Sequence, residues 1–569
     1  MKATCILGGD MPDPTILRVG KYFYLTCSSL NYSPGLIIRR SLNLVEWETV
    51  CSVFEEDLGD VWAPELAEHN GKFYIYFPTN KNGHIRVFAT CSDRINGGWS
   101  TPVPVGAEYL IDPGFISDGK NCWLYFNDGY CARLTDDCMR LAEKPHKVWQ
   151  PWQFPEDWKT EGMCAESPKL FRKNGYYYLI AAEGGTAGPP TSHMAVCFRS
   201  LSPLGPWEAS PRNPVIHTYS ADEEWWSVGH ATYFEDADGK GYFIYHGYKK
   251  SNRNMGRQIL VCRAEWTDDG FPIAADSDLP EPPRQPFVDN FNKNTLGLEW
   301  GFYKGSDKNR FGLFNGLVLK SCGSCAAESR PLTVNTRFEN SVTECRISSV
   351  SESAAAGLVL FYSEKASLGI YLRGRELFAE YLGKEYLIGK ISADAVNFRI
   401  TKRENRAVAA YSEDGKIYTE FPCVFDVSEI EHNKYKGYLS LRSGITCFGN
   451  GDAVFIPLSL KSEQKGTCYV TGKRVYIKEF QIHNTPRKAG CRKSYRAAVS
   501  VYHPLCGRVL YRNVLLGYIF YKCRSFGYGK HQSGKKQHGQ YSLFDKQVRL
   551  YAKRQPHLLP RGNTASVLL

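Results

Sequence analysis

The chain has 569 residues, too many for one hydrophobic core, so we expect at least two domains. Aromatic residues make up 14% of it, and frequent Gly and Pro without a long amphipathic helical pattern favour β-structure with many turns. The net charge of +11 excludes no class of partner, because residues 456–569 carry 22 Lys and Arg against 3 Asp and Glu, while the other 455 residues sum to −8.

The first residues of the chain, MKATCILGGD, predict neither a secretory signal nor a membrane span. They contain one lysine and only a three-residue apolar stretch. The 19 cysteines are odd in number and lack a compact disulfide spacing, which favours reduced thiols and a cytoplasmic location. The C-x-x-C motif at Cys322 and Cys325 has no second ligand pair, so we interpret it as two ordinary thiols.

A pattern of glycine followed by alternating aromatic and aliphatic residues occurs five times in the first half of the chain. It starts at residues 20 (GKYFYLTCSS), 71 (GKFYIYFPTN), 119 (GKNCWLYFND), 175 (GYYYLIAAEG) and 239 (GKGYFIYHGY). Each glycine suits a hairpin turn, and each following run is typical of a strand. Units of this length with several short strands indicate propeller blades. The sequence therefore predicts a five-bladed β-propeller over residues 1–275.

The residues just before each repeat form a second pattern. Four segments carry a proline near the strand start, and the residues before it, with the matching residue of the fifth unit, are Asp13, Ala63, Asp112, Ser167 and His230. The first strand of a propeller blade lines the central channel, so these side chains should converge at one mouth. We expect proline to hold the preceding residue in an extended conformation and so to fix its direction.

Two acids of this set, Asp13 and Asp112, are joined by Glu166, which lies one residue before Ser167. Such a group suits hydrolysis of a glycosidic bond, which needs one carboxylate as base and one carboxylic acid as proton donor. A third carboxylate raises the pKa of the acid by repulsion between like charges. Nearby tryptophans offer stacking faces for sugar rings: Trp62, Trp152, Trp158, Trp225 and Trp226. The plainer interpretation is that Asp-Pro pairs cap turns and the tryptophans fill blade cores.

Residues 6 to about 455 resemble glycoside hydrolase family 43, especially its two-domain β-xylosidase and α-L-arabinofuranosidase members. The matching stretches include DMPDPTILRVGKYFYLTCSS, VWAPEL, IDPGFISDGK, ESPKLFRKNGYYYLIAAEGGTAG, SVGHATYFEDADGKGYFIYHGY and MGRQILVCRAEW. The resemblance implies an inverting mechanism in which Asp13 is the general base, Glu166 the general acid, and Asp112 tunes and orients that acid. An inverting pair should stand roughly 6.5 to 9.5 Å apart.

The resemblance also implies substrate-binding residues. Arg257 matches an arginine that contacts the sugar, and Trp62 matches an aromatic wall of the same subsite. Leu30 occupies a position where many β-xylosidases of the family have phenylalanine, which leaves the sugar preference open. Trp226 is a further candidate for substrate contact. Glu161, five residues before Glu166, is the rival for the role of acid.

His230 matches a histidine near a water-coordinated cation in the family's channel. A lone histidine is more often a hydrogen-bonding core residue, so both interpretations stay open. No cofactor is expected to be required. If an ion is present, calcium or sodium is preferred, because water and oxygen ligands would complete its shell.

The second half of the chain predicts a different domain and then a tail. The proline-rich segment 276–286 reads as a linker, and strand patterns over 287–482 indicate a β-sandwich that resembles the concanavalin-like C-terminal domain of the same enzymes. VYIKEFQI, residues 475–482, is a candidate last strand. The basic tail 483–569 shows neither the blade repeat nor the strand pattern of the sandwich. We interpret it as a non-native or frame-shifted extension rather than a nucleic-acid-binding segment.

Together these patterns predict an exo-acting, inverting glycosidase that releases terminal β-D-xylosyl or α-L-arabinofuranosyl residues. Its expected substrate is a small oligosaccharide derived from xylan or arabinan. Neither nucleic acid nor membrane is an expected partner, and an oligomer is possible. The alternatives are an arabinan-degrading hydrolase and a carbohydrate-binding propeller without catalysis.

Overall fold

The structure is a computed structural model that describes residues 1–305 and 307–463, together with the backbone of three short strands further along the chain. Those three are Ile482–His483, Arg496–Tyr502 and Val509–Val514. The described part is almost entirely β-structure, and its one α-helix is the four-residue His432–Tyr435. None of the described helices combines the length and the apolar character needed to cross a bilayer.

Five antiparallel sheets form the first half of the chain, which confirms the predicted five-bladed propeller. Blade 1 contains Thr15–Val19, Tyr22–Thr26, Gly35–Ser41 and Glu48–Phe54. Blade 2 contains Asp60–Val61, Glu65–His69, Lys72–Lys81, His84–Ser92 and Val103–Glu108. Blade 3 contains Gly114–Ser117, Cys122–Tyr125, Tyr130–Arg133 and His146–Lys147. Blade 4 contains Glu166–Lys173, Tyr176–Glu183, Met194–Ser200, Glu208–Ala209 and Ile216–His217.

Blade 5 joins the two ends of the propeller. Its strands are Trp225–Glu235, Gly241–Lys249, Arg257–Trp266, Pro272–Ala275 and, from the start of the chain, Thr4–Leu7. Thr4 pairs with Val261 in antiparallel register. Just after this strand, the Met11 N–H donates to the Arg257 carbonyl at 2.9 Å. The closure therefore holds the segment that leads to Asp13 against the strand that begins at Arg257.

The backbone at the strand starts differs from the expected extended conformation. Asp13, Asp112, Ser167 and His230 all have positive φ angles, of 60°, 54°, 53° and 56°. Left-handed backbone costs a residue other than glycine about 1–3 kcal/mol and persists only where its surroundings enforce it. Aspartate tolerates it better than most residues. The directions of these four side chains are thus fixed by strained backbone, which for His230 lies within the strand Trp225–Glu235, and not by extension before proline.

Two irregular pairings accompany these turns. In blade 4 the strand register shifts between Glu166 and Lys169, and in blade 5 it shifts between Gly229 and Thr232. Such bulges bend a strand and redirect a side chain, and they are common beside functional sites. Glu166 and His230 therefore lie where the regular strand pairing is interrupted.

The second domain is a sandwich of two antiparallel sheets around one apolar core. One sheet contains Phe287–Asp289, Phe311–Leu313, Leu317–Lys320, Asn340–Val350, Val396–Arg403, Arg406–Ser412, Thr419–Glu420, Phe425–Asp426 and Asp452–Ser462. The other contains Trp300–Tyr303, Leu332–Val334, Ala354–Ser363, Ala366–Arg373, Glu376–Tyr381, Lys384–Lys390 and Arg442–Gly449. The predicted sandwich is confirmed as a fold class.

The propeller contributes a strand to the sandwich. Tyr32–Ser33, from blade 1's long connection, pairs with Trp300–Tyr303 at the edge of the second sheet. Polar contacts reinforce this joint: the Lys402 Nζ donates to Asn252 Oδ1 at 2.9 Å, and Lys249 pairs with Glu339 at 2.6 Å. The two domains belong to one compact unit.

The predicted domain limits can be set beside the strands. The last propeller strand ends at Ala275, and the first sandwich strand begins at Phe287. The compact unit that contains both domains spans Met1–Tyr469, and its last sandwich strand ends at Ser462. The sandwich was predicted to continue to residue 482, and most of that continuation lies outside the described residues, including all of VYIKEFQI except its last residue. Most of the predicted tail, 483–569, also lies outside them.

Gly114 provides a test of how tightly neighbouring blades meet near the axis. A Cβ added there would overlap the carbonyl oxygen of Pro168 in blade 4, and a backbone atom cannot swing aside. We expect Gly114→Ala to lower the free energy of unfolding by about 3 kcal/mol or more, because overpacking a rigid contact forces the backbone to shift. Denaturant or thermal unfolding measures this.

The control is Gly297→Ala, since nothing lies within 4 Å of a Cβ at Gly297. That variant should unfold like the parent chain. Equal stability of the two variants would contradict the described packing of blade 3 against blade 4.

Candidate active site

Four polar side chains meet at one mouth of the propeller channel. Asp13, Asp112 and His230 are buried, and Glu166 is partly exposed. His230 stands between the acids: its Nδ1 lies 3.5 Å from Asp13 Oδ1 and 3.8 Å from Asp112 Oδ2. Donor atoms of Glu166, His193 and His230 lie within 4.8 Å of one another. The structure therefore brings together the three acids and the histidine that the sequence analysis selected.

Asp13 has the most complete set of partners. The Arg257 Nη1 donates to Asp13 Oδ1 at 2.9 Å, and the Ser28 hydroxyl donates to Oδ2 at 2.5 Å. Burial alone would raise the pKa of Asp13, but the Arg257 charge and the smaller influences of His230 and His246 together outweigh burial and hold that pKa well below the ordinary value. Asp13 is thus an ionised carboxylate with both oxygens hydrogen-bonded.

His246 supports Asp13 from the backbone side. The Asp13 N–H donates to His246 Nδ1 at 3.0 Å, so this nitrogen is an acceptor and carries no proton. It therefore does not donate to Asp13 Oδ1, although it lies 3.3 Å away. Burial lowers the pKa of His246, in agreement with a neutral ring. The ring stacks on His193 with centroids 5.3 Å apart.

The other two acids both have raised pKa values, and that of Asp112 is about 7. Burial, and then the charge of Asp13, raises the pKa of Asp112 against the opposing influence of Lys169 and Arg257. For Glu166, burial and the charges of Asp112 and Asp13 raise the pKa well above its ordinary value. Glu166 is less buried than the others, but the two neighbouring charges act in the same direction. The mouth therefore pairs an ionised base with a protonated acid.

A buried ion pair, Lys169 with Glu65, lies near this group, and no motif in the sequence analysis pointed to it. Lys169 Nζ is 2.8 Å from Glu65 Oε2 and donates to the Pro64 carbonyl at 2.9 Å. The second oxygen of Glu65 accepts from the Phe115 N–H at 3.3 Å. One lysine thus ties blades 2, 3 and 4 together near the axis. Glu65 is its ion-pair partner, and the remaining influence of Lys169 lowers the pKa of Asp112.

Glu161, the rival acid, occupies a different place. Its side chain is exposed, and its carboxylate accepts from the Ala187 N–H at 2.8 Å in a loop at the rim. Its charge contributes to the raised pKa of Glu166. The three-donor group with His193 and His230 contains Glu166 and not Glu161.

The predicted substrate-binding residues are spread around the mouth. Leu30 is buried and forms a backbone bridge with Val61 next to Trp62. Trp62 is half-buried and packs against the core of the sandwich. Trp226 lies in another cleft, where its ring faces the Arg253 guanidinium at 5.4 Å. No contact between Trp226 and the three acids is present among the described residues.

The other tryptophans behave as packing residues. Trp158 stacks on His217 at 4.6 Å and meets Trp152 edge-on at 6.2 Å. Trp225 lies against the Lys249 ammonium and the core shared by blades 4 and 5. The plainer interpretation of these three aromatic residues therefore agrees with their contacts.

The sandwich adds a residue to the mouth that sequence reasoning missed. The Tyr438 ring faces the Arg257 guanidinium at 5.5 Å and stacks on His432 at 3.8 Å. Burial, together with the charges of Glu161 and Glu166, raises the pKa of Tyr438 to about 12. Tyr438 follows a glycine in a segment whose pattern predicted a strand of the sandwich, but it lies in a loop, and that pattern did not indicate a place at the mouth.

Asp60 is a second residue that was missed. It immediately precedes Val61 and Trp62, and burial, with a smaller contribution from Asp13, raises its pKa to about 6. It contributes another carboxyl group to the surroundings of the base.

Comparisons with known proteins find matches for both domains of the chain. Residues 3–272 match the family model described as "Glycosyl hydrolases family 43", and residues 288–455 match "Beta xylosidase C-terminal Concanavalin A-like domain". A non-reducing end alpha-L-arabinofuranosidase of Bacteroides ovatus is 31% identical over 335 residues, which are 52% of this chain and 60% of that protein. A xylosidase/arabinosidase of Butyrivibrio fibrisolvens is 29% identical over 315 residues, 48% of this chain and 59% of that protein.

A solved structure shares the fold. A family 43 protein of Bacillus licheniformis superimposes with a TM-score of 0.73 at 24% identity, over 81% of this chain and 100% of that one. The matched part of this chain spans about 60% of the length of the two relatives named above. The likeness therefore covers both domains in fold, and the two family models together match residues 3–272 and 288–455 in sequence.

Proposed function

Because this chain is a two-domain member of glycoside hydrolase family 43, we propose that it is an inverting, exo-acting glycosidase. It removes terminal β-D-xylosyl or α-L-arabinofuranosyl residues from oligosaccharides derived from xylan or arabinan. The observation that carries the proposal is the division of charge at the mouth, where Asp13 is ionised and Glu166 is protonated. A hydrolase of this type needs both states at once.

Asp13 is the general base of the proposed reaction. Its carboxylate stays ionised because Arg257 pairs with it, and the Ser28 hydroxyl fixes its second oxygen. It accepts a proton from the water that attacks the anomeric carbon. Its strained backbone and its N–H bond to His246 hold the carboxylate in place before substrate arrives, which lowers the cost of reaching the transition state.

Glu166 is the general acid. It donates its proton to the oxygen of the leaving group, and its partial exposure leaves room for that group. Asp112 shares the same buried surroundings and maintains the protonated form of Glu166 through its charge. Because these carboxyl groups interact, the alkaline loss of activity reports the group of acids rather than one isolated residue.

The walls of the mouth support removal of terminal residues. Trp62 and Tyr438 supply aromatic faces, and Arg257 lies between the base and Tyr438. A sandwich residue that reaches the mouth of the propeller restricts it to a pocket, which favours a chain end over the middle of a polymer. Leu30 in place of phenylalanine leaves more room, and one relative is described as an arabinofuranosidase. We therefore include the arabinofuranosyl group in the substrate class.

The surroundings of His230 fit a cation held through water. His230 Nε2 and both ring nitrogens of His193 are buried and lack hydrogen-bond partners within the described ranges 1–305 and 307–463. Oxygen and water are the ligands that calcium prefers, so His230 and Glu166 would hold the ion through its shell. Such an ion would supply positive charge near Glu166 and His230. The proton transfers proposed above use only Asp13 and Glu166.

The assignment of base and acid is tested by Asp13→Asn and Glu166→Gln. Each should lower kcat by about 10²- to 10⁴-fold, because each removes one proton-transfer group. Glu161→Gln is the matched control, since it removes a rim carboxylate and should leave most of the activity. Proton NMR of the first anomer released from xylobiose and from an arabinosyl substrate reports rate, sugar preference and stereochemistry together.

The expected product has the anomeric configuration opposite to that of the substrate. Retention of configuration would contradict an inverting pair. Full activity of Asp13→Asn and Glu166→Gln would refute the assignment altogether.

The role of Asp112 is tested by the pH dependence of kcat/KM. Glu166 acts as an acid, so activity is lost as the pH rises through its raised pKa. The charge of Asp112 is one cause of that rise, and its removal lowers the pKa of Glu166. Asp112→Asn should therefore move the alkaline limb to lower pH by about one pH unit.

The control for this measurement is Asp394→Asn, whose carboxyl group is exposed on the sandwich. Asp394→Asn should leave the alkaline limb of kcat/KM at the same pH as in the parent chain. An alkaline limb that stays fixed in Asp112→Asn, or moves to higher pH, would show that Asp112 does not tune the acid.

A further inference from the structure

Three side chains with soft donor atoms lie together outside the catalytic mouth. The Sγ atoms of Cys122 and Cys138 and a ring nitrogen of His69 all lie within 4.8 Å of one another. Both cysteines are buried, and His69 is half-buried. The C-x-x-C pair Cys322 and Cys325, which drew attention in the sequence, belongs to no such three-donor group in the described part of the chain.

The three residues come from separate segments that the propeller brings together. His69 ends the first strand of blade 2, and Cys122 begins the second strand of blade 3. Cys138 lies in the turn after the third strand of blade 3, where its N–H donates to the Thr135 carbonyl at 2.8 Å. The Tyr76 hydroxyl of blade 2 donates to the Cys138 carbonyl at 2.9 Å. The backbone that carries Cys138 is therefore fixed on both sides.

The cluster lies at the opposite end of the blades from the acids. In blade 2 the inner strand runs from Glu65, near the axis and the Lys169 ion pair, to His69, and four residues of strand span about 13 Å. In blade 3 the inner strand starts just after Asp112, and Cys122 follows the turn at its far end. A ligand bound here would not touch the substrate, so the inference stands apart from the proposed function.

We infer that His69, Cys122 and Cys138 form a zinc site. Two thiolates and one imidazole are a donor set that zinc prefers over calcium or magnesium. Zinc bonds of about 2.3 Å to sulfur and about 2.0 Å to nitrogen place donors about 3.5–3.8 Å apart, so small side-chain rotations close the site. The half-exposed side of His69 leaves a fourth position for water.

Binding at this site would link two blades. His69 belongs to blade 2 and both cysteines to blade 3, so the metal would connect them at the face away from the mouth. Zinc displaces protons from both thiols, and the affinity therefore falls as the pH is lowered.

Cobalt(II) substitution tests the site directly. The full chain, reduced and stripped of metal with a chelator, is titrated with Co²⁺ and then with Zn²⁺. We expect one Co²⁺ per chain, a thiolate-to-cobalt charge-transfer band, and loss of that band when one equivalent of Zn²⁺ is added. His69→Gln should weaken Zn²⁺ binding by about tenfold or more, as loss of one ligand demands.

Cysteine variants show which thiolates give rise to the thiolate-to-cobalt band. Cys122→Ala and Cys138→Ala should each abolish it or reduce it strongly. Cys131→Ala is the matched control, because Cys131 is buried in the same blade but in a different core cluster. If a cysteine variant fails to fold, His69→Gln, altered at a half-exposed side chain, still decides the question.

Two results would overturn the inference. One is a folded, reduced chain that shows no thiolate-to-cobalt band. The other is a band that persists unchanged in Cys122→Ala or in His69→Gln. Since neither readout involves hydrolysis, failure here would leave the proposed glycosidase untouched, and an inactive enzyme would leave the metal site untouched.

Discussion

The ion pair between Arg257 and Asp13 is the interaction on which the site depends. It is a contact between a guanidinium and one carboxylate in a group of buried acids. A buried acid without such a partner takes up a proton, because burial disfavours the charged form. The same pair places a negative charge next to Asp112 and Glu166 and so strengthens their hold on protons. The difference between base and acid thus arises from Arg257 and the histidines beside Asp13, and from burial with the charge of Asp13 at Asp112 and Glu166.

The closed propeller brings Asp13 and Arg257 together from the two ends of its sequence. Asp13 follows the first strand of the chain, and Arg257 begins a strand of the last blade, so the two meet only because the ends of the ring pair in one sheet. The other buried cation near the axis, Lys169, is already neutralised by Glu65. The sandwich completes the mouth by placing Tyr438 against Arg257. Ring closure, charge division and pocket shape are therefore linked.

Much of this could be predicted from sequence because blades repeat. The recurrent strand pattern fixed the number of sheets, and the matching position before each strand selected Asp13, Asp112 and His230. The remaining features arise from contacts without a local pattern. A four-residue strand, Thr4–Leu7, is too short to reveal that it closes the ring, and Tyr438 reaches the mouth from a loop in another domain. Proline also suggested extended backbone where folding imposes left-handed turns.

The division of charge can be measured directly by carbon-13 NMR titration of the carboxyl groups in the free enzyme, with Asp13→Asn and Glu166→Gln used to assign the signals. The account predicts that Asp13 loses its proton first, below its ordinary pKa of 3.8, and that Glu166 stays protonated well above its ordinary value of 4.5. Ionisation of Glu166 before Asp13, or of both near their ordinary values, would contradict it.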